Sequence, residues 1–111
     1  MATEIYKYEM FNEGAFDLRS YIKYKPAGEE SGHWKSTEKG GMIMLHQSQS
    51  VDPRDLGIPE GAKMKLVGSI EAQHDHDANE DFIFNSNAKV RANYVMTGSL
   101  FEAHITFQKT S

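Results

Sequence analysis

The chain has 111 residues, a formal net charge of −4 and no cysteine. Without cysteine it has no disulfides, no thiolate metal ligands and no thiol nucleophile. Without a surplus of Lys and Arg it is a poor candidate for nucleic acid, because such binding depends on neutralising phosphates. The length suits a single domain over residues 1–111.

The start of the chain, MATEIYKYEM, lacks the basic region and the apolar region of a secretion signal. No apolar run approaches the ~20 residues with which a helix spans a bilayer. These features predict synthesis in the cytoplasm, with leaderless secretion as the alternative. They leave association with a membrane surface open and argue against a transmembrane protein.

The first segment, TEIYKYEMF, alternates but has apolar residues on both faces. The segment Met42–Leu45 is also apolar on both faces, which is typical of a central or covered strand. If either were left as an open edge it would invite pairing with another chain. We therefore expect a homo-oligomer.

Four longer segments alternate apolar and polar residues with a period of two, which predicts strands with one buried face. They begin, in chain order, at Phe16, Ala62, Val90 and Phe101. In the last of them, Phe101 shares the apolar face with Phe107. The predicted core contains Phe16, Leu18, Ile22, Leu66, Ile70, Tyr94, Ile105 and Phe107.

Gly, Pro, Asn and Asp punctuate these segments as turn residues do, and no stretch of ten residues has a sustained helical period. About eight short strands in a chain of this length predict an all-β, two-sheet antiparallel β-sandwich. The Cys and Trp pattern of antibody domains is missing. The choice between jelly-roll and immunoglobulin-like topology therefore stays open.

The stretch HDHDANED, from His74 to Asp81, concentrates acidic residues and histidines. On a strand, His74 and His76 would point to one side, and Asp75 and Asp77 to the other. Such a histidine pair suits zinc or nickel, but a closed site needs four ligands. The preferred interpretation is an acidic, solvated turn between two strands.

Calcium is the alternative at the same stretch. The ligand set would be Asp75, Asp77, Asn79 and Asp81, which follow the first half of an EF-hand loop. The pattern fails where Glu80 replaces the required Gly and Ser86 replaces the bidentate Glu. A true EF-hand is excluded, and a calcium loop of the sandwich type is the surviving form of this hypothesis.

No nucleophile elbow, phosphate-binding loop or zinc-protease motif occurs, so we predict that the protein is not an enzyme. The leading hypothesis is a lectin-like module that binds a carbohydrate or cell-surface ligand, since polar loops and one Trp suit sugars. Its candidate ligand-binding residues are His33, Trp34, Asp75, Asp77 and Asn79. The alternatives are a self-assembling structural oligomer and a small membrane-active, toxin-like protein.

Overall fold

The computed structural model describes residues 3–71 and 73–111, and within them it forms two sheets. The first sheet contains, in spatial order, β1 (Glu4–Ile5), β8 (Phe82–Phe84), β6 (Lys63–Ile70), β3 (Leu18–Lys25) and β4 (Lys35–Ser36). A short strand, β7 (His76–Asp77), also pairs with β6. The second sheet contains, in spatial order, β10 (Ala103–Thr110), β9 (Arg91–Gly98), β2 (Lys7–Asn12) and β5 (Ser48–Val51).

The alternating segments bury one face against the opposite sheet, as the period of two predicts. Side chains from β3 and β6 of the first sheet meet those of β2 and β9 of the second sheet in one core. Six of the predicted core residues are buried: Phe16, Leu18, Ile22, Leu66, Ile70 and Tyr94. Ile105 and Phe107 are only partly buried, because β10 is the edge strand of its sheet.

The all-β sandwich is confirmed, but the sheets are mixed, and the described residues form ten strands instead of about eight. β2 runs parallel to β9, and β1 runs parallel to β8. The expectation of purely antiparallel sheets is therefore wrong for these two pairs. The physical reason is that the first segment divides at Tyr6: β1 joins one sheet, and β2 inserts between β5 and β9 of the other.

Two sequence-based strand assignments are also wrong. Met42–Leu45 is not a covered strand: Ile43 makes a single bridge to Leu18, and the residues on either side belong to a loop. Phe101 does not continue β10, which begins only at Ala103. Both segments lie where strands end, so neither has a continuous partner strand to pair with.

One end of the sandwich, which we call the tip, collects several loops. β2 and β9 end there because they are parallel, and β5 and β10 begin there because each is antiparallel to one of them. The Glu13 amide donates to the Met96 carbonyl at 2.8 Å, and the His46 amide donates to the Asn12 carbonyl at 2.7 Å. We define the tip loops as residues 13–17, 42–47 and 99–102. In the part of the chain that the structure describes, no helix is long and apolar enough to cross a membrane.

Candidate functional site

The tip concentrates exposed apolar side chains. Among residues 3–71 and 73–111, four large hydrophobic side chains are exposed: Met44, Leu45, Leu100 and Phe101. All four belong to two of the tip loops. Phe101 is 95% exposed, and the other three are each close to half exposed. Large apolar side chains that cluster in contact with water indicate an interaction surface, so the cluster marks the tip as the candidate site.

The hairpin between β9 and β10 displays Leu100 and Phe101 at its turn. The Ser99 amide donates to the Glu102 carbonyl at 3.0 Å, and the Glu102 amide donates back to the Ser99 carbonyl at 3.2 Å. The turn is entered through Gly98, whose φ is 103°. A Cβ at that position would overlap the carbonyl oxygen of Glu102. Glycine is therefore required for this hairpin to close, and the hairpin holds the two apolar side chains outward.

The second apolar loop is a tight turn from Met44 to Gln47. The Gln47 amide donates to the Met44 carbonyl at 3.0 Å, which closes the turn. His46 has φ 66°, the positive value that the third position of a type II turn needs. His tolerates this backbone region better than most residues. The turn leaves Leu45 at its second position, exposed beside Met44.

Asn12 is a buried residue that ties two tip loops together. Its Nδ2 donates to the carbonyl oxygens of Phe16 and Ile43, both at 2.9 Å, and its Oδ1 accepts from the Gly14 amide at 2.9 Å. The side chain is fully buried. Sequence reasoning did not identify Asn12. The available signal was an Asn at the end of an alternating strand, immediately before a glycine-containing turn, where Asn often bonds to the backbone.

The charges of the tip are negative. Its loops contain the carboxylates Glu13, Asp17 and Glu102, all exposed, and no Lys or Arg. His104 lies next to them, with its Nε2 3.6 Å from Glu102 Oε1. Arg19 and Lys39 lie just outside these loops, in one pocket with Asp17 and Met42, so the tip loops themselves provide no attraction for an anionic surface. Any surface that binds here has to be recognised through its apolar character.

The predicted ligand residues of the HDHDANED stretch lie on the outer face of the first sheet. Tyr21 donates its hydroxyl to Asp75 Oδ2 at 2.6 Å, and Lys23 Nζ lies 2.9 Å from Asp77 Oδ2. Lys63 Nζ lies 3.4 Å from Asp81 Oδ2. The carboxylates thus fasten this segment onto β3 and β6. His74 and Asn79 are exposed and take no part in these contacts.

Tyr21 and Asp75 both have pKa values displaced from their ordinary values. Partial burial of Asp75 opposes its ionisation, but hydrogen bonds from Tyr21 and Ser69 and the charges of Lys39 and Lys23 outweigh it. The pKa of Asp75 is therefore below its ordinary value. For Tyr21, burial and the hydrogen bond to Asp75 raise the pKa well above its ordinary value.

These carboxylates and histidines do not gather around a common point. Within residues 3–71 and 73–111, no group of three His, Asp or Glu side chains is arranged to hold a metal ion. Asp75, Asp77 and Asp81 face three different partners instead. The preference for an acidic turn over a calcium or zinc loop stays a prediction, and these separate partners are its structural support.

The other two candidate ligand-binding residues, His33 and Trp34, have different surroundings. His33 is exposed, and Trp34 is half-buried on the outer face of the first sheet. Three lysine ammonium groups lie over the indole ring: Lys65 at 4.4 Å, Lys25 at 4.8 Å and Lys63 at 5.9 Å from its centroid. Trp34 is thus neither a core residue nor a bare platform.

Comparison with known proteins found partial structural similarity and no match in sequence. No protein-family model matches the chain, and no curated protein matches it in sequence. The structure is similar to part of the human-specific toxin intermedilysin (TM-score 0.48, 14% identity) and part of listeriolysin O (TM-score 0.49, 10% identity). It is also similar to part of pneumolysin, described as a sugar binding protein (TM-score 0.47, 11% identity).

In all three comparisons the match covers 92% of this chain but only 22% of the other protein. The chain therefore spans about a fifth of the length of these proteins. Similarity at this level of identity and TM-score does not transfer a function to this chain.

Proposed function

We propose that the protein binds the surface of a lipid bilayer through its tip. The observation that supports this proposal is the placement of Met44, Leu45, Leu100 and Phe101. These are the exposed large apolar side chains of the described residues, and they share one end of the sandwich. Loops at one end can enter a membrane interface together, while the two sheets stay in water.

The expected affinity of one tip is low. Full transfer of a Phe, Leu or Met side chain out of water contributes about 1.5–3 kcal/mol. Three of the four side chains are already half-buried, so the tip gains about 5 kcal/mol in total. That corresponds to a dissociation constant on the order of 0.1 mM for a single chain. Several tips engaged at once in a homo-oligomer would strengthen binding.

The charges of the tip select among lipids. Because Glu13, Asp17 and Glu102 flank the apolar residues and the tip loops lack Lys and Arg, an anionic membrane repels this end of the protein. We therefore expect binding to zwitterionic phosphatidylcholine, weakened by added phosphatidylserine. The opposite preference is typical of polybasic membrane-binding segments.

Vesicle co-sedimentation tests the proposal. The double variant Leu100→Ser, Phe101→Ser should lose most binding to phosphatidylcholine vesicles, because it removes the more exposed half of the cluster. Val95→Ser is the control, since Val95 is a half-buried residue on the outer face of the second sheet, outside the tip loops. Equal binding by the wild type and the double variant would refute the tip as the contact.

Dye release from the same vesicles separates binding from permeabilisation. We expect bound protein without leakage, because side chains at loop ends reach only the interface of a hydrocarbon core about 30 Å thick. Leakage that depends on Phe101 would instead support the membrane-active, toxin-like function.

A second candidate function is carbohydrate binding at the outer face of the second sheet. A shallow groove of about 680 Å³ lies there and is lined partly by Glu9, Phe11, Asn93 and Val95. Phe11 pairs with Val95, and Glu9 pairs with Asn93, on neighbouring strands. An aromatic ring beside carboxylate and amide groups suits a sugar, whose C–H face packs on the ring while its hydroxyls bind the polar groups.

Glycan-array screening distinguishes the two functions. Carbohydrate binding at this groove should be lost in Phe11→Ala and kept in the Leu100→Ser, Phe101→Ser variant. The vesicle assay should show the reverse. A glycan signal that both variants retain would place the sugar elsewhere, at the predicted residues His33, Trp34, Asp75, Asp77 and Asn79.

A further inference from the structure

The outer face of the first sheet contains an unusual arrangement of four lysines. In the pairing of β3 with β6, Lys23 stands directly opposite Lys65, and Lys25 stands directly opposite Lys63. Like charges in directly opposed positions destabilise a sheet. The chain has a net charge of −4, so this concentration of positive charge is local. We call Lys25, Lys63, Lys65 and Trp34 the lysine–tryptophan patch.

Carboxylates neutralise only part of this charge. Lys23 is paired with Asp77 at 2.9 Å, and Lys63 with Asp81 at 3.4 Å. For Lys25 and Lys65, no carboxylate of the described residues lies within salt-bridge distance. Lys25 donates to the backbone carbonyl of Glu30 at 3.0 Å, a neutral acceptor. Two ammonium groups of the patch therefore have no carboxylate of the described residues to neutralise them.

Trp34 holds these two groups close together. Lys65 Nζ and Lys25 Nζ lie 4.4 and 4.8 Å from the same ring centroid, so their separation is less than about 10 Å, one Debye length at moderate salt. A cation over an indole face gains about 0.5–1 kcal/mol when solvent still reaches the pair. The ring thus orders the lysine side chains, while their mutual repulsion remains. An anion between them would relieve that repulsion.

We propose that the lysine–tryptophan patch binds the sulfate groups of a sulfated polysaccharide. Lysine ammonium groups act as point charges toward sulfate and phosphate oxygens. Here they are spread over an open sheet face, which suits successive charges of a polymer better than one enclosed small anion. The neighbouring acidic residues are Glu30 beside Lys25, Asp77 on Lys23 and Asp81 on Lys63. They limit the contact to a few saccharide units and oppose a long nucleic-acid duplex.

The position of the patch argues against lipid headgroups as the source of the anion. Lys65 precedes Ile70, the end of β6 at the tip, by five residues. At about 3.3 Å per residue, this distance is about 16 Å along the strand. When the tip contacts a bilayer, the patch stands above the headgroups. The exclusion of lipid headgroups rests on the proposed function, but the anion site itself does not, because the two sites share no residue.

Isothermal calorimetry with a highly sulfated heparin-type hexasaccharide tests the proposal. Its desulfated counterpart and a duplex RNA of equal charge are the comparison ligands. We expect binding to the sulfated hexasaccharide, at least tenfold weaker binding to the other two, and a tenfold or larger loss in Lys25→Gln, Lys65→Gln. Lys89→Gln, an exposed lysine that precedes β9 and lies outside both the patch and the groove, should bind as the wild type does. Equal binding of the desulfated sugar or of RNA would overturn the proposal.

Thermal melting without ligand separates a binding role from a structural one. If the neighbouring lysines repel Lys65, Lys65→Gln should melt at a higher temperature than the wild type. The sulfated hexasaccharide should then raise the Tm of the wild type by mass action. If the lysine only covers Trp34, Lys65→Gln should melt lower and the sugar should change nothing. The second pair of results would refute the patch as a binding site.

Discussion

Asn12 donates a hydrogen bond of 2.9 Å from Nδ2 to the carbonyl oxygen of Ile43, and this bond joins two tip loops. The same side chain bonds the Phe16 carbonyl and the Gly14 amide. It is buried, so these backbone groups have no access to water in its place. The position of Met44 and Leu45, which follow Ile43, therefore depends on a residue that does not itself face solvent.

Asn12→Ala should lower the free energy of unfolding by about 2–4 kcal/mol, because it leaves the Gly14 amide and the Phe16 carbonyl unpaired. Urea denaturation measures this loss. The matched control is Asn93→Ala, whose side-chain amide donates to the Lys109 carbonyl and to Ser111 at the protein surface. A loss no larger than that of Asn93→Ala would contradict the role of Asn12 as the link between the loops.

Gly98→Ala should destabilise the protein and weaken vesicle binding together. The substitution combines a φ of 103° with an overlap between the new Cβ and the Glu102 carbonyl oxygen. We expect a cost of about 2–3 kcal/mol, measured by thermal melting. Gly28→Ala is the control for backbone strain alone, since Gly28 has φ 82° and open space around it. It should cost about 1 kcal/mol and leave vesicle binding unchanged.

Two core truncations should lower the free energy of unfolding by different amounts. Leu66 is fully buried at the centre of the first sheet, so Leu66→Ala should cost about 2–5 kcal/mol. Phe107 is only partly buried on the edge strand, although its ring lies 5.4 Å from Tyr94 and 5.7 Å from Phe82. Phe107→Ala should therefore cost less, about 1–3 kcal/mol. Equal losses in chemical denaturation would mean that β10 is covered more completely than in the single chain.

Stability should fall at alkaline pH. Burial, and then the neighbouring Tyr94, Asp81 and Glu80, raise the pKa of Tyr8, while burial and Glu80 raise that of Tyr94. A raised folded-state pKa means that the folded chain keeps these protons longer than the unfolded chain does. The stabilisation that the two protonated tyrosines provide is complete below about pH 10, which is the tyrosine pKa in unfolded chains. Above it, each such tyrosine should cost about 1.4 kcal/mol per pH unit until its folded-state pKa is reached.

Urea midpoints from pH 8 to pH 11 measure this effect. Tyr94→Phe keeps the ring and removes the ionisable hydroxyl, so its midpoint should fall less steeply above pH 10 than that of the wild type. The same slope in both proteins would show that Tyr94 ionises as easily in the folded state as in the unfolded state.

The alternation of apolar and polar residues determined the class of fold and most of the core. In β3, β6 and β9 the side-chain period of two leaves one choice of buried face, and Leu18, Leu66 and Tyr94 are on it. This works because the buried face of a strand is a local property of its sequence. The turn residues likewise placed the strand ends to within a few residues.

Only the tertiary structure decided where the tip and the lysine–tryptophan patch are. Phe101 fits the alternation of the strand that follows, but the closure of the hairpin beyond Gly98 leaves it at the turn. Lys25 and Lys63 are distant in sequence, and the β3–β6 register sets them opposite each other. Register and loop position depend on how separate strands pair, and a period of two within one strand carries no information about its partner.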